Sequence, residues 1–183
     1  MFLILLLLGF VLNWASAFTT VYSSRLGERR GQVVSAALRN VVGIPLWVLG
    51  LILAMRTSAP TLLAPNAVAN AVGWLLIAAG SLLVTWALAL LGLRTAAPST
   101  RDTLVRRGPY AHVRHPIYDG VLCQFAGLAL IQPTWPVMLS CLLGAGWAVV
   151  QARLEELDLL SRVPGYRDYA NRVPRFIPRL WKR

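Results

Sequence analysis

Two short stretches hold the side chains best suited to chemistry. The first is Arg106-Arg107-Gly108-Pro109-Tyr110-Ala111-His112-Val113-Arg114-His115-Pro116-Ile117-Tyr118-Asp119-Gly120. The second is Glu155-Glu156, within Gln151-Ala152-Arg153-Leu154-Glu155-Glu156-Leu157-Asp158. Pro116 suits the first turn of a helix, where its missing N–H leaves no bond unmade. His115, directly before it, is biased to an extended backbone. Arg114 and His115 thus lie at a helix N-terminus, where unpaired N–H groups suit a carboxylate. The glutamates suit a cation. A small zwitterion with a positive centre would bridge the two stretches, its carboxylate at His115 and its ammonium or hydroxyls at a glutamate. Each stretch also has a plainer reading. Juxtamembrane arginines set topology and interfacial tyrosines anchor, and paired glutamates after an apolar run form a solvated acidic face.

The elements that position these residues are apolar. Of the 183 residues 57% are hydrophobic and 14% charged, which is too apolar for an ordinary soluble domain. A spanning helix needs roughly 20 mostly apolar residues, and 1–22, 33–55 and 67–93 meet that length. The shorter runs 117–132 and 136–152 flank Pro133-Thr134-Trp135-Pro136 and predict a tight helical hairpin. The fold class is therefore an all-α integral membrane protein with about five transmembrane helices. Residues 1–183 form one membrane domain, with three spans in 1–93 and the site in 94–183. Ala15-Ser16-Ala17 resembles a signal-peptidase site, but Met1 to Trp14 carries no positive charge, so an uncleaved helix is expected. Leu154, Leu157 and Leu160 recur at helical spacing, so the fifth span continues as an amphipathic helix beyond the bilayer. Cys123 and Cys141 lie in apolar runs and read as packing residues; no metal-ligand spacing is present.

Charge sets the orientation. The formal net charge is +11, and sixteen of the eighteen basic residues fall in 23–32, in 94–116 or after 152. With five spans these segments share one face. The positive-inside rule makes it cytoplasmic, with the N-terminus outside. Basic residues clustered beside apolar spans favour membrane lipids over nucleic acid as the partner. Arg39 lies inside the second span beside Asn40, which predicts a structural pair, a snorkelling side chain or a functional role.

The ordered series Leu104-Val105-Arg106-Arg107-Gly108-Pro109-Tyr110, Arg114-His115-Pro116-Ile117-Tyr118 with Gly120, Glu155-Glu156, Tyr166 and Tyr169, and Val173-Pro174-Arg175-Phe176-Ile177-Pro178 resembles the isoprenylcysteine carboxyl methyltransferase family and related phospholipid methyltransferases. The resemblance covers about residues 99–180. It implies an integral-membrane enzyme with S-adenosylmethionine in a cytoplasmic pocket formed by the C-terminal helices. By that resemblance Leu104, Val105 and Tyr110 hold the adenosine part. His115, Pro116, Ile117 and Tyr118 line the methionine part. Glu155 and Glu156 also contact the cofactor, and the Tyr166 and Pro174-Arg175 segments cap it. Two positions depart from the family: Gln151 stands where prenylcysteine-methylating members carry Arg, and Val163-Pro164-Gly165-Tyr166 is one residue shorter than usual. Both bear on substrate identity.

Methyl transfer from a sulfonium is an in-line displacement that relies on positioning and exclusion of water. A lipophilic acceptor would enter from the bilayer. A carboxylate like that of isoprenylcysteine must be held, with Arg153 or Arg175 as candidates. An amine, as in phospholipid N-methylation, must lose a proton, with Glu156 as candidate base. An NADPH-dependent reductase of the sterol type and a non-enzymatic membrane scaffold are the alternatives. The Ala/Leu/Arg-rich composition suggests a bacterial inner membrane.

Overall fold

The computed structural model describes residues 1–64, 66–92 and 103–178. Among these the regular elements are helical: α1 (Phe2–Ser16), α2 (Thr19–Leu26), α3 (Glu28–Ala36), a π-helical segment (Ala37–Gly43), α4 (Ile44–Arg56), α5 (Ala67–Leu91), a 3-10 turn (Gly108–Ala111), α6 (Pro116–Ile131), α7 (Trp135–Arg162) and α8 (Tyr166–Arg172). Three segments have the length and hydropathy of membrane spans: Glu28–Arg56, Ala67–Leu91 and Trp135–Arg162. The α1–α2 pair makes a fourth if its two bent parts act as one, and α6 is a shorter apolar helix. The chain is an all-α membrane protein.

The expected first span, 1–22, is not straight. It bends by 63° between α1 and α2. Phe18 leaves helical geometry there (φ −88°, ψ 48°). The freed backbone groups find side-chain partners: the Tyr22 hydroxyl donates to the Ala15 carbonyl at 3.0 Å, and the Thr20 N–H donates to the Asp158 carboxylate at 3.0 Å. Unpaired groups at a helix break are costly in a low-dielectric setting, so these bonds make the bend tenable. The second span also differs from expectation. Its helix begins at Glu28, and the π-helical segment interrupts it around Arg39.

The other boundaries follow local signals. Asn66 caps α5, its side-chain oxygen accepting from Val68 N at 2.8 Å and Ala69 N at 3.2 Å. Pro116 opens α6, and Pro136 lies in the first turn of α7. The hairpin expected around Pro133–Pro136 is therefore present, and α7 runs on without a break to Arg162. Leu62 N donates to the Pro133 carbonyl at 2.7 Å, and Gln132 donates to the Met55 carbonyl at 2.6 Å. The α4–α5 and α6–α7 connections thus meet at one end of the bundle. The α2 start, the segment before α6 and the end of α7 meet at the other.

Helices approach closely where glycine permits it. A Cβ at Gly127 of α6 would stand 2.5 Å from the Gly73 carbonyl oxygen of α5, and a Cβ at Gly120 would stand 2.6 Å from that of Gly80. Both pairs repeat at seven residues, the small-residue logic of membrane helix pairs, where close van der Waals packing replaces the hydrophobic effect. The core proper lies between α1, α4 and α7. Phe10 and Trp147 stack there with ring centres 5.2 Å apart, and Leu6 and Ala148 fill the gap. Buried Cys141 packs with Phe125 and Val137, in a second cluster between α6 and α7. The outer faces of α5 stay apolar and exposed, as at Leu75, Leu82 and Trp86, which suits contact with lipid.

Gly127→Ala is expected to force α5 and α6 apart, because the obstruction is backbone, and to lower stability by about 1–3 kcal/mol. Gly146→Ala, with open space around it, should be neutral or mildly stabilising. Thermal unfolding of the two variants in lipid nanodiscs checks the difference.

Candidate functional site

The segment before α6 is shaped by Gly108 and Pro109. Gly108 has φ +60°, a left-handed conformation that favours glycine, and Pro109 starts the 3-10 turn that buries Tyr110. After the turn, Arg114 N donates to the Pro174 carbonyl at 2.9 Å and His115 N to the Arg175 carbonyl at 3.1 Å. The two backbone donors that the sequence offered to an anionic ligand are thus bonded to the chain's own tail. The tail folds back because its carbonyls complete the start of α6.

Glu156 holds this arrangement in place. Its Oε1 accepts from Arg114 Nε at 2.8 Å, His115 Nε2 at 3.1 Å and Arg175 Nε at 3.0 Å, and its Oε2 from Arg175 at 2.5 Å. The Arg114 guanidinium also donates to the Ala170 and Val173 carbonyls at 2.6 and 2.7 Å, closing the C-terminal end of α8. The bond to Glu156 raises the affinity of the Arg175 guanidinium for its proton. Tyr169 donates from its hydroxyl to the Tyr110 carbonyl at 2.7 Å. Burial pushes the Tyr169 phenol up to about 12 and those of Tyr110 and Tyr166 higher still, so all three are neutral hydroxyls at physiological pH.

Glu155, one residue away, has a different environment. It lies on the wall of a cavity of about 350 Å³ enclosed by α1, the π-helical segment, α5, α6, α7 and the segment 103–115. It accepts from the Tyr118 hydroxyl at 2.6 Å and from Gln151 at 3.1 Å. The Tyr118 ring stacks on His115 at 5.6 Å and meets Trp147 edge-on at 5.8 Å. The wall is therefore a carboxylate beside aromatic rings, a setting whose charge attracts a cation.

Of the residues singled out in the sequence, Leu104, Val105, Tyr110, His115, Ile117, Tyr118 and Glu155 line this cavity. Pro116 is buried behind it. Arg153 is exposed, and Arg153, Glu156 and Arg175 do not line the wall; the oxygens of Glu156 are occupied by its three basic partners. The cavity also takes in Asn13, Ser16, Arg39, Asn40, Trp47 and Asp158, which the motif series does not include. Asn13 and Ser16 carried one legible signal, polarity inside an apolar run, which in a membrane helix marks a functional position. Three lining residues carry a buried polar atom with no hydrogen-bond partner: Trp47 Nε1, Trp147 Nε1 and the Tyr110 hydroxyl.

Glu156→Ala strands two arginines and a histidine and is expected to cost about 3–5 kcal/mol. Protease cleavage within 163–178 should accelerate strongly. Glu155→Gln keeps an acceptor for Tyr118 and should leave both the cleavage rate and the melting temperature near wild type. Limited proteolysis with thermal melting checks the contrast.

Comparison with known proteins places this geometry. The family model for phospholipid methyltransferase matches residues 68–165. The chain is 40% identical over 81 residues to the nickel-cobalt-cadmium resistance protein of Alcaligenes xylosoxydans xylosoxydans, covering 42% of this chain and 37% of that one. It is 36% identical over 83 residues to the cobalt-zinc-cadmium resistance protein of Cupriavidus metallidurans, covering 43% and 37%. It is 33% identical over 118 residues to methanethiol S-methyltransferase 2 of Bradyrhizobium diazoefficiens, covering 61% and 44%. The chain thus spans less than half the length of each of these relatives. No solved structure matches. Among the described residues no group of three or more His, Cys, Asp or Glu is placed to hold a metal ion. Because the match takes in more than half of the sequence, including His115, Tyr118 and Glu155, the protein belongs to the phospholipid methyltransferase family.

Proposed function

We propose that the protein is an integral-membrane methyltransferase that binds S-adenosylmethionine in the cavity beside Glu155 and methylates a lipophilic acceptor. One observation carries the reading: the cavity joins the residues of the family resemblance from four separate parts of the chain. Its size is in the range of small-molecule sites, roughly 300–1,000 Å³. The unpartnered Tyr110 hydroxyl and indole N–H groups fit a polar ligand, since buried polar atoms are otherwise paired.

In this reading Leu104, Val105 and Tyr110 hold the adenosine part, and His115, Ile117 and Tyr118 flank the methionine part, with Pro116 setting the start of α6. Glu155 faces the positive charge. Bound S-adenosylmethionine supplies a methyl group already activated on a sulfonium. The protein's own contribution is then to orient, to neutralise charge and to exclude water. Tyr118 and Gln151 fix the Glu155 carboxylate by hydrogen bonds, and Trp147 and Tyr118 give the cationic end an aromatic wall. Arg153 and Arg175 drop out of acceptor binding in this reading, one exposed and the other paired with Glu156.

The acceptor we favour is a carboxylate on a lipid tail, of the isoprenylcysteine kind, which needs holding but no base. The family name points instead to a phospholipid, and the methanethiol relative to a thiol. An amine acceptor would need a base, and Glu155, rather than Glu156, is the glutamate on the cavity wall. The arginine-rich end of the bundle is assigned to the cytoplasm of a bacterial inner membrane by the positive-inside rule, with the N-terminus outside.

Titration calorimetry of the protein in nanodiscs is expected to show S-adenosylmethionine binding. Glu155→Gln should weaken it by about tenfold, or ~1.4 kcal/mol. Tyr110→Phe should leave the melting temperature unchanged or higher, because it deletes an unpartnered hydroxyl, while weakening binding several-fold. Absence of binding in the wild-type protein would sink the reading. Labelled methyl donor incubated with a membrane lipid extract, followed by mass spectrometry, identifies the acceptor.

A further inference from the structure

Outside the cavity, the pair α2 and α3 has an inverted polarity. The buried residues of α2 are Thr19 and Ser23, and those of α3 are Gly31 and Ser35. Gly31 lies directly against the Ser23 backbone, where a Cβ would collide. The outer side is apolar instead: Phe18, Val21, Leu26 and Val33 are exposed. Phe18, Val21, Arg25 and Leu26 follow the spacing of one helix face. Helices that bury hydroxyls and expose apolar side chains suit a lipid boundary rather than water.

The same outer side is basic. Arg25, Arg29 and Arg30 are exposed, and among the described residues none of the three forms an ion pair or a side-chain hydrogen bond. Glu28 is the single acidic residue of the two helices, and it accepts from Gln32 at 2.7 Å. Three guanidinium groups thus stand beside exposed apolar side chains with no carboxylate of the protein to answer them. Basic and apolar side chains side by side are the composition of helices that lie in a headgroup layer.

The place of α2 in the bundle agrees. α1 packs on α4 and α7, and α2 turns from the direction of α1 by 63°. The turn is fixed at the charged end of α7: Thr20 N donates to Asp158 at 3.0 Å, and Arg162 donates to the same carboxylate at 2.6 Å. By Asp158, α7 has left its apolar run and carries Arg153, Glu155 and Glu156. α2 therefore starts at the level where the apolar layer ends. Its 8 residues reach about 12 Å, too short to cross a hydrocarbon core of about 30 Å.

We propose that α2 and the start of α3 lie in the headgroup layer and bind anionic phospholipids. Phe18, Val21, Leu26 and Val33 enter the acyl boundary, and Arg25, Arg29 and Arg30 meet the phosphates. A guanidinium matches two phosphate oxygens through its planar fork. Each basic residue near an anionic surface favours binding by about fivefold. The surface is separate from the ligand cavity and does not depend on the methyl transfer proposed above. Thr19, on the buried face of α2, lines that cavity, so the helix that meets the lipid also closes part of the site.

The test uses the full chain in nanodiscs of equal parts phosphatidylcholine and phosphatidylglycerol. The photocrosslinker benzoylphenylalanine replaces Val21, Leu26 or, as a reference on the exposed face of α5, Leu75. Mass spectrometry then identifies the lipid adducts. Val21 and Leu26 are expected to give adducts with a several-fold excess of phosphatidylglycerol, and Leu75 adducts in the bulk ratio. Joint Arg25→Gln, Arg29→Gln and Arg30→Gln should return the Val21 and Leu26 adducts to the bulk ratio. The adducts should still form, because the apolar contact remains. Joint Arg107→Gln, Arg167→Gln and Arg172→Gln removes the same charge from other exposed positions and should keep the excess. The proposal is overturned if Val21 and Leu26 give no lipid adducts where Leu75 does, which would leave this face to a soluble partner. Adducts at Val21 and Leu26 in the bulk ratio, or an equal excess at Leu75, also overturn it. So does an excess that survives the first joint variant or is lost in the second. If the first joint variant does not fold, an unchanged excess in each of the three single variants overturns it.

Discussion

The arrangement of the site depends on one carboxylate, Glu156, that three basic side chains of the same chain share. Glu156 accepts from Arg114, His115 and Arg175, and so joins three parts of the chain that are far apart in sequence: the end of α7, the approach to α6 and the returning tail. A buried carboxylate is tolerable only when paired, and two arginines pair it here in low-dielectric surroundings. The pairing fixes the height of His115 against α7. It also frees Arg114 to close the end of α8 and lets the tail carbonyls cap the backbone before α6. Tyr110, Tyr166 and Tyr169 are buried beneath that closure as neutral hydroxyls.

With Glu156 committed to structure, Glu155 faces the cavity. The division follows from helix geometry: adjacent residues on a helix lie about 100° apart, so one glutamate meets the tail and the other the space between α6 and α1. Trp47 of α4, Tyr118 of α6 and Trp147 of α7 line the same cavity, and Phe10 of α1 packs on Trp47 and Trp147. Phe10, Trp47, Tyr118 and Trp147 form a continuous set of ring contacts. This set ties α1, α4, α6 and α7 together beside the cavity.

Much of the fold was legible because its signals are local. Apolar length marks the helices, and Pro116 and Pro136 mark two helix starts. The bend at Phe18 and the π-helical segment were not legible. The bend is stabilised by Asp158, from the other end of the chain, and no local signal marks it. The π-helical segment lies beside Asn13, whose side chain occupies the space a Cβ at Gly43 would need. The sequence singled out Glu155 and Glu156 as a pair but could not tell their surroundings apart. Spacing alone says nothing about which of two neighbours an arginine from residue 114 or 175 will reach. Asn13, Arg39 and Asn40 were visible only as polar residues in apolar runs.

By itself, then, the sequence determined the membrane class, the approximate apolar helices and the motif series, because hydropathy, proline placement and residue order are properties of the linear chain. The tertiary structure decided which backbone donors are already used, which glutamate is a tie and which a wall, and that α1 and the π segment enter the site. Those decisions rest on contacts between residues dozens of positions apart, where the geometry of packed helices, rather than any local preference, sets the partner.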